Sequence, residues 1–209
     1  MIDFYLEDDN RKHWAEIQRL ANLNTPEADK ILTKYTLEGT RLSNSLGIFR
    51  NVEPADTQTI TIKQLGQDVV LKRGDKVFVS FVYASKDASV FPDPLEIKLD
   101  RPTELYITHG EGQHQCLGKD INIIQNTYML KTLAKLRNFR RAPGDDGRLK
   151  FIPKPGGIKL YMNADWSKFT PYPTSMFPPF YIFFPTIRVP HDTNQSIAMR
   201  VQFDGPIVS

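Results

Sequence analysis

A single cysteine, Cys116, stands in a chain of 209 residues. One thiol can neither close an internal disulfide nor build a Cys-rich zinc site, so a stapled, secreted fold is not expected. Charge of one sign is also scarce. Lys and Arg number 27 against 24 Asp and Glu, a net +3 spread along the chain, which offers no basic tract for nucleic acid or an acidic membrane. Long apolar runs are missing. The longest, Phe177 to Ile187, carries three prolines and falls well short of the roughly 20 residues that a spanning helix needs. The N-terminus, Met1-Ile2-Asp3-Phe4-Tyr5-Leu6-Glu7-Asp8-Asp9, lacks the basic and apolar segments of a signal peptide, so a cytoplasmic location is expected. There is no hydrolase triad, phosphate loop or internal repeat. Trp14 and Trp166 read as packing residues, and His13 and His191 as surface histidines.

What is present is a chain able to build a core: 40% hydrophobic and 24% charged residues, with a mean hydropathy of −0.39. Its length allows one ordinary domain or part of a larger one. The first 45 residues read as two helices. Trp14, Ile17, Leu20 and Ala21 recur at helical spacing, and Thr25-Pro26-Glu27 supplies an N-cap, an N1 proline and an early acid for a second helix to about Leu42. Between about Ile48 and Val79, short alternating runs separated by polar turns and Gly74-Asp75 predict small hairpin strands. Prolines from Phe91 to Thr108 predict an ordered meander without regular structure. After the cysteine, Leu117, Ile121, Ile124, Tyr128, Leu130, Leu133 and Leu136 form a stripe wide enough to imply a buried helix. Arg137, Arg140 and Arg141 would close that helix at its dipole-negative end, before the turn Pro143-Gly144-Asp145-Asp146-Gly147. A terminal hairpin is expected from Leu149 to Tyr161.

The chemistry centres on His109-Gly110-Glu111-Gly112-Gln113-His114-Gln115-Cys116-Leu117-Gly118. Within it Gly112, His114, Cys116 and Gly118 reproduce Gly-x-His-x-Cys-x-Gly, a chance match at the level of roughly one in a few thousand for a chain this long. The pattern resembles the cysteine-ligand loop of the cytochrome P-450 haem-thiolate family. The resemblance implies haem as cofactor and Cys116 as axial ligand and metal-binding, catalytic residue. A thiolate in a tight loop leading into a helix is stabilised by backbone N–H groups and the helix dipole, and it pushes electron density onto iron, favouring O–O cleavage. Gly112 would permit the sharp turn, Gly118 would let the helix pass close to the porphyrin, and His114 would aim a donor at a propionate.

Two further features fit the family. Glu38-x-x-Arg41 precedes the loop by about the family's distance, and its implied partner is Arg101 of the meander. Together they would form a buried Glu–Arg–Arg cluster that holds the scaffold rather than catalysing. Arg50 matches the position of a second propionate donor, and Leu46, Gly47 and Ile48 would face the substrate side. One departure stands out: His109 occupies a position where most family members have Phe beneath the thiolate. With Asn163-Ala164-Asp165-Trp166-Ser167 and Thr170-Pro171-Tyr172-Pro173-Thr174, it resembles a narrower group, the haem-thiolate domain of fungal fatty-acid dioxygenase fusions, the linoleate diol synthases and psi-factor-producing oxygenases. The expected fold is mainly α with small β-sheets, the C-terminal half of the cytochrome P-450 fold.

The resemblance implies isomerisation of a fatty-acid hydroperoxide, made by a fused peroxidase-like dioxygenase domain, to a diol without a reductase. The alternatives are a reductase-dependent monooxygenase, for which Lys119, Arg137, Arg140 and Arg141 would form a docking patch, and a truncated, non-catalytic haem-binding remnant. A whole family domain is about twice this long, so the chain is expected to be a fragment with the proximal half only, holding haem poorly and turning over little alone. Residues 1–170 would form the partial domain, 171–199 an insertion and 200–209 a closing strand and tail. Six prolines and six aromatics fall within 171–190. About 23 residues from Phe177 to Met199 are expected to be either a retained intron or a genuine insertion, and a native peptide joining Ser175 or Met176 to Arg200 would identify the former.

Overall fold

The computed structural model describes residues 1–53, 58–62, 66–162 and 199–205. The expectations placed on Trp166, His191 and 163–198, including most of the proposed insertion, lie outside them.

Two long helices open the chain after a single turn α1 (Ile2–Tyr5), which the sequence pattern does not announce. Helix α2 (Arg11–Leu23) buries Trp14, Ile17, Leu20 and Ala21. It ends on Asn24 in the left-handed region, φ 51°, a conformation that Asn tolerates better than most residues. Thr25 then caps α3 (Pro26–Ser43), its hydroxyl accepting from the Ala28 N–H at 3.2 Å, with Pro26 at N1. Both boundaries agree with the helix signals. His13 departs from expectation: it is half-buried and lies edge-on to Tyr35 at 6.1 Å.

Four two-stranded antiparallel sheets follow among the described residues. Strand β1 (Gly47–Asn51) pairs with β4 (Lys76–Ser80), and between them β2 (Gln58–Ile62) pairs with β3 (Gln67–Leu71) as a separate hairpin. Gly47 lies opposite Ser80, and a Cβ there would fall 2.1 Å from the Phe78 ring, so any side chain at 47 would have to displace that ring. A one-turn helix α4 (Phe81–Ala84) leads into the meander, which holds only turns and a 3-10 turn at Thr103–Leu105. Helix α5 (Lys119–Ala134) follows the cysteine loop. Strand β5 (Arg140–Arg141) pairs with β8 (Val201–Gln202), and β6 (Phe151–Pro153) with β7 (Lys159–Tyr161) as the expected hairpin.

The main core joins α1, α2, α3, α5 and Phe139: Tyr5, Leu6, Trp14, Ile17, Leu20, Ala21, Ala28, Leu32, Tyr35, Leu130 and Ala134 are all buried there. Each large apolar side chain removed from water contributes about 1.5–3 kcal/mol. Polar ties fix the packing. Thr127 donates to the Thr36 hydroxyl at 3.1 Å, and Lys131 pairs with Asp29 at 2.6 Å.

Helix α5 corrects the sequence expectation. Its buried residues are Thr127, Leu130, Lys131 and Ala134, one i, i+3, i+4, i+7 row facing α3. Much of the predicted apolar face is open: Ile121 is 69% exposed, Tyr128 60% and Ile124 57%, and Leu117, before the helix, is fully exposed. An apolar stripe shows that a face can be covered, but the elements available to pack on it decide how much is. The three arginines are also displaced from the helix end. The helix stops at Ala134, and Arg140 and Arg141 lie in β5. Arg141 pairs with Asp3 at 2.5 Å and Arg140 with Asp204 at 3.1 Å.

Candidate functional site

A buried carboxylate organises the site from below. Glu38 and Arg41, one turn apart on α3, are fully enclosed. Arg41 donates from Nε and Nη2 to the two Glu38 oxygens, each at 2.8 Å, a bidentate geometry with the strength of charge-assisted bonds. Its remaining donors reach the carbonyls of Ser85 (2.8 Å), Pro94 (2.6 Å) and Glu96 (3.0 Å), pinning the start of the meander to α3. Arg101 brings its Nε to 3.4 Å from Glu38 Oε1, an ion-pair contact too poor in geometry to count as a hydrogen bond. Phe91 lies under both guanidinium groups, its ring centre 4.9 Å from the Arg41 carbon and 5.6 Å from that of Arg101.

Two partners of Glu38 were not foreseen. The Lys98 N–H donates to Oε2 at 3.0 Å, and the Tyr106 hydroxyl donates to Oε1 at 2.7 Å. Burial alone would push the Glu38 carboxyl up, but the bonds from Arg41, Tyr106 and Lys98, with the Arg41 charge, hold it below its ordinary value. Burial, then the bond to Glu38, pushes the Tyr106 phenol well up, so it is a firm donor. No spacing rule links residues 68 positions apart. The hint available in the sequence was an aromatic with a polar tip just before the glycine-rich loop.

Tyr106 leads directly into that loop. The Gly110 N–H donates to the Ile107 carbonyl at 2.8 Å and the Cys116 N–H to the His109 carbonyl at 2.8 Å, while the Cys116 carbonyl accepts from the Lys119 N–H at 3.1 Å. Gly110 and Gly112 adopt φ of +76° and +66°, the left-handed region that glycine enters at little cost. The Cys116 thiol is exposed, just before the first turn of α5. Gly118 has an ordinary backbone conformation, and a Cβ there would lie in ordinary contact with Cys116 Sγ, at 3.7 Å. Leu117 and Ile121 extend an exposed apolar surface beside it. An open thiol beside a glycine, with exposed apolar residues next to it in the chain, suits a flat, largely apolar metallocofactor that takes sulfur as a ligand.

His109 is half-buried, its ring held between Thr108 Oγ1 (3.2 Å) and Asn122 Oδ1 (3.0 Å). His114, in the 3-10 turn Gly112–His114, is exposed, as is Arg50 on β1. Leu46, Gly47 and Ile48 are half-buried where α3 passes into β1. The structure thus joins Glu38, Arg41 and Arg101 in one cluster and His109, Gly110 and Cys116 in one loop. It does not gather the four basic residues into a patch. Lys119 begins α5 and the arginines follow its far end, about 24 Å away for 16 residues. Among the described residues there is no cluster of His, Cys, Asp and Glu able to hold a bare metal ion, and no helix long and apolar enough to cross a membrane.

Comparison with known proteins agrees with this geometry. Psi-producing oxygenase A of Emericella nidulans is 44% identical over 175 residues, 84% of this chain and 16% of that protein. The bifunctional dioxygenase-epoxy alcohol synthase of Pyricularia oryzae is 40% identical over 176 residues, 84% and 15% of the two chains. Linoleate diol synthase of Gaeumannomyces graminis is 33% identical over 210 aligned residues, 84% and 18%. The chain therefore spans less than a fifth of the length of these relatives. Among solved structures, the CYP116B5 haem domain of Acinetobacter radioresistens superposes with a TM-score of 0.54 at 23% identity, over 71% of this chain and 32% of that one, which is a likeness of fold. The sequence profile described as Cytochrome P450 matches residues 50–165, more than half of the chain. The chain belongs to the cytochrome P450 family, whose cofactor is thiolate-ligated haem.

Proposed function

We propose that this chain supplies the thiolate side of a haem site acting as an oxidoreductase on a fatty-acid hydroperoxide. The observation that carries this reading is Cys116: an exposed sulfur in a loop closed at both ends, bordered by Gly118 and apolar Leu117 and Ile121. Cys116 would hold the haem iron through its sulfur, at the entry to α5. Gly112 would permit the sharp turn, Gly118 would let α5 pass close to the haem, and His114 and Arg50 would donate to its propionates. The Glu38–Arg41–Arg101 cluster holds the meander, and through Tyr106 the loop entry, at fixed height over α3. Leu46, Gly47 and Ile48 border the substrate. Haem, when bound, supplies cleavage of the peroxide O–O bond and return of an oxygen to a nearby carbon.

The names of the linoleate diol synthase and dioxygenase-epoxy alcohol synthase relatives support a fatty-acid substrate and a dioxygenase partner that delivers it oxidised. The separation of Lys119 from Arg137, Arg140 and Arg141 by the length of α5 weighs against a single docking patch made of all four. The test is the reduced, carbon-monoxide-bound spectrum of the haem-loaded chain beside Cys116→Ala. A red-shifted thiolate Soret band lost in the variant is the expected result. Consumption of linoleate hydroperoxide without NADPH or reductase should follow, and strict dependence on a reductase would overturn the hydroperoxide reading.

A further inference from the structure

Resting on the reading of Cys116 as ligand, we propose that His109 is a positioning residue that locks the cysteine loop onto α5 through Asn122 and Asn126. The His109 carbonyl accepts the Cys116 N–H at 2.8 Å, so residue 109 already fixes the backbone that carries the sulfur. Its ring reaches the second turn of α5, with Nε2 3.0 Å from Asn122 Oδ1. Asn126, one turn further along, donates its Nδ2 to the same oxygen at 2.8 Å. That shared oxygen only accepts, so Nε2 carries a hydrogen toward it, while Nδ1 faces the Thr108 hydroxyl at 3.2 Å. Both ring nitrogens thus have a partner, one on α5 and one in the segment leading into the loop.

The loop is thereby closed on itself by the Cys116–His109 backbone bond, joined to the start of α5 through the Cys116 carbonyl, and tied to α5 again by the His109 ring. None of His109, Asn122 and Asn126 belongs to either apolar cluster. The network acts on the loop, with little bearing on the core. A hydrogen-bonded latch stands here instead of an aromatic ring packed under the sulfur, and it sets where the sulfur sits relative to the helix axis.

The full chain gives two independent readouts. In haem-free protein, amide exchange over residues 110–118 should quicken about five-fold in His109→Ala and Asn122→Ala, the loss of roughly one net hydrogen bond. Amides of α2 and α3 should be unchanged. His109→Gln keeps an N–H donor toward Asn122 and should stay close to the parent chain. After haem loading, the two alanine variants should show a smaller share of the red-shifted thiolate band, and His109→Gln should restore it. Unchanged loop exchange in both alanine variants overturns the latch, as does equal acceleration throughout α2 and α3. A band that survives Cys116→Ala overturns the ligand reading instead, and loop exchange still decides the latch.

Discussion

Glu38 shows how a carboxylate survives full burial. Its two oxygens accept four hydrogen bonds, from Arg41 twice, Lys98 and Tyr106, so desolvation is offset by donors already in place. With its folded value held below the ordinary 4.5, the charged form stabilises the fold fully above that value, and this stability is lost as pH falls through the lowered one. Glu38→Gln leaves the buried Arg41 without its counter-charge. We expect a loss of about 3–5 kcal/mol at neutral pH and a flatter acid limb, read by urea unfolding at stepped pH; an acid limb as steep as the parent's would sink this account. Arg41→Lys should cost nearly as much, because an ammonium has no planar fork to serve the carboxylate and three carbonyls at once. Trp14 presents the opposite case. It stacks on Phe139 at 5.5 Å, yet its buried Nε1 has no partner among the described residues. Trp14→Phe removes that orphan donor and should cost below about 1.5 kcal/mol, against about 3–5 for Trp14→Ala.

At the scale of elements, what was legible in the sequence is what local chemistry decides. Thr25 and Pro26 set the start of α3 wherever the helix packs, and Thr25→Ala should lower stability by about 1 kcal/mol in denaturant titration. The hairpins and meander were legible from turn residues and prolines, and the cysteine loop from a motif only ten residues long. The burial of α5 was not legible, because apolar spacing describes a surface and not what lies against it. Ile121→Lys and Ile124→Glu should therefore shift the unfolding free energy of this chain by no more than about 0.5 kcal/mol. Leu130→Ala, on the covered row, should cost about 2–5 kcal/mol. Destabilisation of that size by Ile121→Lys would show the face to be covered. Tyr106, Asn122 and Asn126 escaped sequence reading for a related reason: their partners are set by through-space contacts that no period encodes.

For the whole molecule, the helical core and the sheets should differ in persistence. Each sheet among the described residues has two strands, the smallest and least self-sufficient kind, whereas α2, α3 and α5 share one core. Native-state hydrogen exchange should therefore report the longest protection in those helices and earlier opening at β2–β3, which pairs only with itself. The segment 199–205 is stitched to the region after α5 through Ala142 N–H to Arg200, Arg200 N–H to Asp146, Arg137 N–H to Gly205 and Asp204 N–H to Arg137. Those bonds anchor one end of the stretch 163–198, and β7 with Met162, whose N–H donates to Lys150, anchors the other. Both flanks of that stretch are thus held by bonds made among the described residues, so the place of 199–205 rests on its backbone contacts with 137–146.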